Sequence, residues 1–155
     1  MKKTLLSIML LTTTIFTLTG CSLSKEKSTI SDFETATTGA NLIELEVDTS
    51  TMDDAYEDLS VYCDVDMTYQ VEFYDMASDA NAQALFNSFN ENIELSYGNN
   101  ISMRGNLSMG NYATNYYGYD DAYFYVAKVD DTVFFGFTET AGKEPIKAIA
   151  EAIGY

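Results

Sequence analysis

The chain has 155 residues, with 8 Lys and Arg, 24 Asp and Glu, no His, 2 Cys and a formal net charge of −16. This excess of negative charge excludes nucleic-acid binding, because contacts to phosphate groups need clustered basic side chains. The lack of histidine removes the commonest general base and the commonest metal ligand.

The first twenty residues have the composition of a secretory signal peptide. Lys2 and Lys3 give a positive start, and an apolar stretch follows over residues 5–18. The small residue Gly20 stands at the end of this stretch. Since the stretch is short and rich in threonine, we do not expect it to span a membrane as a helix.

The tetrapeptide Leu18-Thr19-Gly20-Cys21 resembles a lipobox, the cleavage and acylation site of bacterial lipoproteins. This signal sequence makes the chain similar to small lipoproteins of Gram-positive bacteria. The resemblance covers residues 1–21 and implies cleavage before Cys21, a diacylglycerol on the Cys21 thiol and a place on the extracytoplasmic face of the cell membrane. The alternative is an ordinary secretory peptide that contains an incidental cysteine.

On this interpretation residues 21–30 are a lipidated cysteine with a polar tether, and residues 31–155 form a single acidic domain. From Ser31 onward four basic residues face 23 acidic ones, which gives a net charge of −19. Cys63 is then left without an intramolecular partner. Because Cys63 lies in a stretch with alternating apolar residues, we expect a buried thiol rather than a reactive one.

The first half of the domain is predicted to mix helices and strands. Ser31 and Glu34 fit a capping box, which predicts a helix at about 32–38. Further elements are a strand at 42–47, a helix at about 52–60, a strand at 67–74 and a helix at about 79–93. Residues 61–65 fit either an extension of the strand or the preceding helix.

The second half is predicted to be a meander of four antiparallel strands, followed by a helix that begins near Pro145. The strands lie at 101–109, 112–119, 122–129 and 132–138. The last two are apolar at nearly every position, which places them centrally with cover on both faces. The fold class is therefore α+β: a mostly antiparallel sheet of five to six strands with three to four helices, gathered on one face.

Acidic pairs at turns are weak candidates for calcium ligands, because calcium takes six to eight oxygen ligands. The turn pairs are Asp120, Asp121, Asp130 and Asp131. They close opposite ends of the strand at 122–129, so we do not expect all four to bind one ion. Solvated surface charge is the alternative, and we expect no metal and no cofactor.

A cluster of tyrosines in the meander is the best candidate ligand-binding site. Its members are Tyr112, Tyr116, Tyr117, Tyr119, Tyr123 and Tyr125. Interleaved with Asn111 and Asn115, they could form a strip that stacks sugars or binds peptides. The alternative is cross-strand aromatic pairing that stabilises the sheet.

Ser–His and Cys–His pairs are impossible without histidine, and the folded domain has no S-x-x-K motif for a Ser–Lys pair. Composition does not exclude two-carboxylate glycosidase chemistry, but a domain of about 125 residues that is largely a meander leaves little room for the cleft it needs. Arg104, the single arginine, fits either a ligand clamp or a salt bridge. The sequence therefore favours a non-enzymatic, membrane-anchored module that binds an envelope protein, peptide or glycan. The alternatives are an acidic inhibitor or decoy for cationic proteins or peptides, and a calcium-binding surface domain.

Overall fold

A computed structural model describes residues 24–48, 52, 54–98, 100–139 and 143–155. Within these ranges the chain forms one antiparallel sheet of seven strands and three helices, so the α+β class is confirmed and the strand number of five to six was too low. The helices are α1 (Ile30–Gly39), α2 (Asp79–Tyr97) and α3 (Lys143–Ala152). The strands are β1 (Ile43–Glu44), β2 (Tyr56–Cys63), β3 (Tyr69–Met76), β4 (Met103–Met109), β5 (Tyr112–Gly118), β6 (Tyr123–Val129) and β7 (Thr132–Thr138). The predicted signal peptide and lipobox lie outside the described residues.

The strand order in the sheet is β1-β2-β3-β7-β6-β5-β4. Strands β2 and β3 form a hairpin, α2 follows, and β4 to β7 form the predicted four-strand meander. The last strand of the meander pairs with β3, which joins the two halves into one sheet. This arrangement makes β7 the central strand, between β3 and β6, and leaves β4 at one edge.

Helix α1 begins two residues earlier than the sequence pattern indicated. Thr29 is the N-cap, because its hydroxyl accepts the backbone N–H of Asp32 at 3.2 Å, and the Asp32 carboxylate accepts the backbone N–H of Thr29 at 2.9 Å. The capping box predicted at Ser31 and Glu34 was therefore wrong. The earlier start also packs Ile30 against the core, which a start at Ser31 would leave outside the helix.

The predicted helix at 52–60 was wrong, because Tyr56–Cys63 is strand β2. Its residues pair with β3 from Tyr56↔Met76 to Cys63↔Gln70, with a bulge after Tyr56. Residues 61–63, which fitted either an extension of the strand at 67–74 or the preceding helix, belong to β2, and a turn at Asp64 separates β2 from β3. The Asp64 carboxylate accepts the backbone N–H groups of Thr68 and Tyr69 at 2.6 and 3.0 Å, which closes the turn.

The helices cover both faces of the sheet, so the prediction that they gather on one face was wrong. On one face α1 and α3 pack around Phe33 and Ile146, and the Phe33 ring stacks on Phe73 at 5.4 Å. On the other face α2 inserts Phe86 and Ile93. The reason lies in β6 and β7, which are apolar on both faces and need cover on both.

Cys63 is a free thiol that is 3% exposed, as the alternation indicated. Among the described residues no helix has the length and apolar character needed to cross a membrane.

Candidate functional site

A cleft opens where the helices leave one face of the sheet uncovered. On that face α1 lies over β2 and β3, and α3 lies over β6 and β7. The middle parts of β4 and β5 therefore border an open space of about 350 Å³ beside α3. We call it the Tyr116 cleft. Its lining residues are Gly105, Asn106, Leu107, Thr114, Tyr116, Tyr125, Lys147, Glu151 and Tyr155.

Aromatic rings form the apolar part of the Tyr116 cleft. Tyr116 on β5 lies directly opposite Gly105 on β4 and Tyr125 on β6. Its ring occupies the space over position 105, since a Cβ added to Gly105 would lie 2.1 Å from Tyr116 Cζ. A glycine in a strand often marks such a close approach. Tyr116 and Tyr125 are both half-buried and face the open space.

Buried hydroxyl groups without hydrogen bonds lie in and beside the Tyr116 cleft. Thr114 Oγ1 and the Tyr123 hydroxyl are buried, and neither has a hydrogen-bond partner among the described residues. Thr114 lines the cleft, and Tyr123 is close to Tyr116 and Tyr125. Burial raises the pKa of Tyr123 well above its usual value, so its hydroxyl keeps the proton. Since buried polar groups are almost always paired, Thr114 Oγ1, which belongs to a residue that lines the cleft, is suited to meet a ligand.

The tyrosines predicted as one strip are divided between the two faces of the sheet. Tyr112, Tyr116, Tyr123 and Tyr125 lie on the α3 side, while Tyr117 and Tyr119 pack in the core under α2. Four of the six are buried in the core: Tyr112, Tyr117, Tyr119 and Tyr123. The structure thus brings Tyr116 and Tyr125 together in a cleft and leaves the other four as packing residues.

A second cleft borders the opposite face of β4. Its volume is about 470 Å³, and we call it the Glu91 cleft after one of its lining residues on α2. Its lining residues are Glu91, Glu94, Leu95, Gly98, Ile101 and Arg104. Arg104 Nη2 lies 2.7 Å from Glu94 Oε1, and its guanidinium lies 5.2 Å from the centre of the Tyr117 ring. Arg104 therefore makes the salt bridge that was the alternative to a ligand clamp.

The acidic turn residues are not brought together. Asp120 and Asp121 lie in the turn between β5 and β6, and the other pair lies at the far end of β6. Asp131 Oδ1 is 2.7 Å from Lys27 Nζ, and Asp130 Oδ2 accepts a hydrogen bond from Asn111 at 2.9 Å. In the part of the chain that the structure describes, no three His, Cys, Asp or Glu side chains are grouped so that they could hold a metal ion.

The segment that precedes α1 is bound to the domain by Asn111. The backbone N–H of Lys25 donates to Asn111 Oδ1, and Asn111 Nδ2 donates to the Lys25 carbonyl, both at 2.9 Å. Lys25 Nζ donates to the Gly154 carbonyl at 2.9 Å and lies 3.9 Å from the centre of the Tyr112 ring. Lys27 Nζ lies between the carboxylates of Asp75 and Asp131 at 3.1 and 2.7 Å.

Comparison with known proteins gives one distant likeness. No protein-family model matches the chain, and no curated protein matches it. A crystal structure of a GTP-binding regulator from Thermotoga maritima matches with a TM-score of 0.46 and 15% sequence identity, over 78% of this chain and 86% of that one. A likeness of this degree says nothing about function.

Proposed function

We propose that the protein is a lipoprotein, anchored on the extracytoplasmic face of the cell membrane, that acts as a non-enzymatic binding module. The observation that carries the proposal is the composition of the Tyr116 cleft. Tyr116, Tyr125 and Tyr155 surround an open concave space, and Thr114 presents a buried hydroxyl without a partner. The anchor rests on the resemblance of residues 18–21 to a lipobox.

The Tyr116 cleft has the mixture of groups that binding sites use. Aromatic faces supply contact area at small entropic cost, while a few polar groups orient the ligand. Lys147 and Glu151 lie one turn apart on α3 and give the rim one charge of each sign. The volume of about 350 Å³ is near the lower end of sites for small ligands or single side chains.

The hydrogen bonds of the hydroxyl groups in this cleft support a role in binding without catalysis. A catalytic hydroxyl needs a base within hydrogen-bond reach, and Thr114 has no such partner among the described residues. The Tyr155 hydroxyl is hydrogen-bonded to Thr132, whose own hydroxyl also contacts the Val129 carbonyl. Neither contact activates a nucleophile.

The contacts of Lys25 support a short connection between lipid and domain. Cys21 precedes Lys25 by four residues, and four extended residues span at most ~14 Å. Lys25 is bonded to Asn111 and Gly154, so a lipid on Cys21 would hold this end of the domain near the bilayer. Tyr112, which Lys25 contacts, lies on the same face of β5 as Tyr116, so the Tyr116 cleft would lie beside this end of the domain.

The two cysteines give a matched test of the anchor. In cells fed labelled palmitate, we expect the label and membrane association to be lost in Cys21→Ala and retained in Cys63→Ala. Cys63 is buried at 3% exposure. Its replacement therefore controls for the loss of a cysteine that carries no lipid. Label retained by Cys21→Ala would contradict lipidation at this residue.

Two tyrosine variants test the binding site. The lipoprotein purified in detergent is used to capture protein, peptide and glycan components from a cell-envelope extract. We expect Tyr116→Ser to lose the bound component and Tyr56→Ser to retain it, because Tyr56 is equally half-buried but packs against Tyr74 on the other face. Equal capture by wild type and Tyr116→Ser would refute the proposal.

The charge of the domain favours a second candidate function, an inhibitor or decoy for cationic proteins or peptides. The domain has a net charge of −19 from Ser31 onward, and residues 31–100 contain no Lys or Arg. Such a field attracts cationic partners and is screened by salt. Binding that does not weaken between about 0.05 and 0.5 M salt would exclude this function.

A further inference from the structure

Strand β4 is an exposed edge with few of the features that block strand pairing. It pairs with β5 and ends the described sheet. Natural edge strands are protected by lysine, proline, inward charges or bulges. The sequence Met103–Met109 contains no Lys, Asp, Glu or Pro, and its Arg104 is held by Glu94. Leu107 and Met109 are 49% and 39% exposed.

The Tyr116 and Glu91 clefts both border this strand, one on each face. Gly105 and Leu107 line the Tyr116 cleft, and Arg104 lines the Glu91 cleft. In an added strand, successive side chains point to opposite faces of the sheet. A strand that pairs with β4 would therefore direct alternate side chains into the two clefts.

We propose that β4 binds an extended basic peptide segment by strand addition. The inference rests on the proposed function of the Tyr116 cleft as a binding site and names the partner of that site. Main-chain hydrogen bonds to β4 supply affinity, and the two clefts supply specificity for alternate side chains. On the Tyr116 side an apolar or aromatic residue packs between Tyr116 and Leu107.

Charge selects a basic partner over a second copy of the chain. The Glu91 cleft holds Glu91 and Glu94 against Arg104, and Glu94 already pairs with that arginine. Glu91 is thus available for a lysine or arginine of the added strand. The domain charge of −19 attracts such a segment from a distance and repels an identical domain.

Two neighbouring proline variants separate edge pairing from loss of fold. In an antiparallel strand successive N–H groups point to opposite sides, so of Asn106→Pro and Leu107→Pro one removes a bond to β5 and the other an outward donor. The variant that keeps the wild-type melting temperature has lost the outward donor. We expect that variant to bind basic peptide at least about ten-fold more weakly, which corresponds to ~1.4 kcal/mol.

The probe is a pool of ten-residue peptides that alternate lysine with a randomised apolar residue. A pool with glutamate in place of lysine is the charge control. With the full lipoprotein in detergent, we expect the lysine pool alone to bind and to protect outward N–H groups of β4 from hydrogen exchange. Glu91→Gln should weaken binding, while Glu57→Gln, an exposed glutamate on β2 near the far edge, should not.

Three results would overturn strand addition. The first is no binding of the lysine pool, and the second is binding that leaves the outward N–H groups of β4 unprotected from hydrogen exchange. The third is a dimer that the edge proline variant abolishes, because the strand added to β4 would then belong to a second copy of the chain. If the peptide test fails while Tyr116→Ser still abolishes capture from envelope extract, strand addition is wrong and the proposed function stands. If Tyr116→Ser leaves capture unchanged, the proposed function itself is wrong.

Discussion

The ring of Tyr116 fills the space that a side chain on Gly105 would need. A Cβ at position 105 would lie 2.1 Å from Tyr116 Cζ and 2.2 Å from its hydroxyl oxygen. The two residues face each other across β4 and β5. Because the contact involves the far end of a side chain, the ring can move without unfolding the strand pair. Position 105 therefore controls the shape of the Tyr116 cleft.

Gly105→Ala should displace the Tyr116 ring and weaken ligand binding without loss of stability. Alanine reduces the entropy of the unfolded chain relative to glycine, which offsets the local adjustment. The measurement combines binding of the captured envelope component with thermal melting. Gly118→Ala on β5 is the control, because its Cβ would lie 3.2 Å from Met103 and away from Tyr116. Unchanged binding by Gly105→Ala would show that the ring position is irrelevant.

Adjacent tyrosines should differ sharply in their effect on stability. Tyr117 is 0% exposed and its hydroxyl donates to Asn90 Oδ1 at 2.9 Å, so we expect Tyr117→Ser to lower the free energy of unfolding by about 3–5 kcal/mol. Because Tyr116 is half-buried, Tyr116→Ser should lower the free energy of unfolding by only about 1 kcal/mol. Denaturant unfolding measures both. Equal losses would place Tyr116 in the core and leave no open cleft.

Glu72→Gln should stabilise the protein at pH 7 and lose this advantage in acid. Burial raises the pKa of Glu72 above its usual value, although hydrogen bonds from Tyr74 and Gln70 oppose the shift. The folded state thus holds the proton more tightly than the unfolded state. The contribution of protonated Glu72 is complete below the unfolded pKa near 4.5 and is lost as the pH rises through the folded pKa.

Melting temperatures of wild type and Glu72→Gln at pH 7 and pH 4 check this sign. The difference should be positive at pH 7 and should shrink toward pH 4. Glu57→Gln, an exposed glutamate on β2, serves as the control for removal of one negative charge. A Glu72→Gln variant that is less stable than wild type at pH 7 would contradict the account.

Asn111→Ala should release the segment that precedes α1. The two hydrogen bonds between Asn111 and the Lys25 backbone contribute about 0.5–1.5 kcal/mol each. We therefore expect trypsin to cleave after Lys25 or Lys27 roughly ten-fold faster in the variant, since ~1.4 kcal/mol is one factor of ten. The neighbouring amide variant Asn106→Ala is the control. Equal cleavage rates would show that Asn111 does not hold this segment.

Helices and strands with a regular spacing of apolar residues and well-marked turn residues could be predicted from the sequence. The meander could be predicted because the turn residues Gly110, Asp120 and Asp130 separate its four strands. Helix α2 could be predicted because Ser78 caps a stretch with helical spacing of apolar residues. The strand β2 was missed because the apolar spacing of its first residues also fits a helix. Pairing with β3 makes these residues a strand and not a helix, and such pairing is not encoded in the local sequence pattern.

The site was predictable in part for the same reason. Tyr116 and Tyr125 stood out as members of an aromatic cluster, but their separation from the four packing tyrosines depends on which sheet face α2 and α3 cover. Lys147, Glu151 and Tyr155 reach the cleft through the docking of α3, about thirty residues later in the chain. Gly105 was the one overlooked local signal, since a glycine inside a strand marks a close approach.

The most direct test of the Tyr116 cleft is site-specific photo-crosslinking in intact cells. A photoreactive amino acid is placed at Leu107, an exposed residue of the cleft, or at Val65, a more exposed residue in the turn between β2 and β3. The account predicts a discrete adduct from position 107 and none from position 65. No adduct at position 107, or the same adducts at both positions, would contradict it.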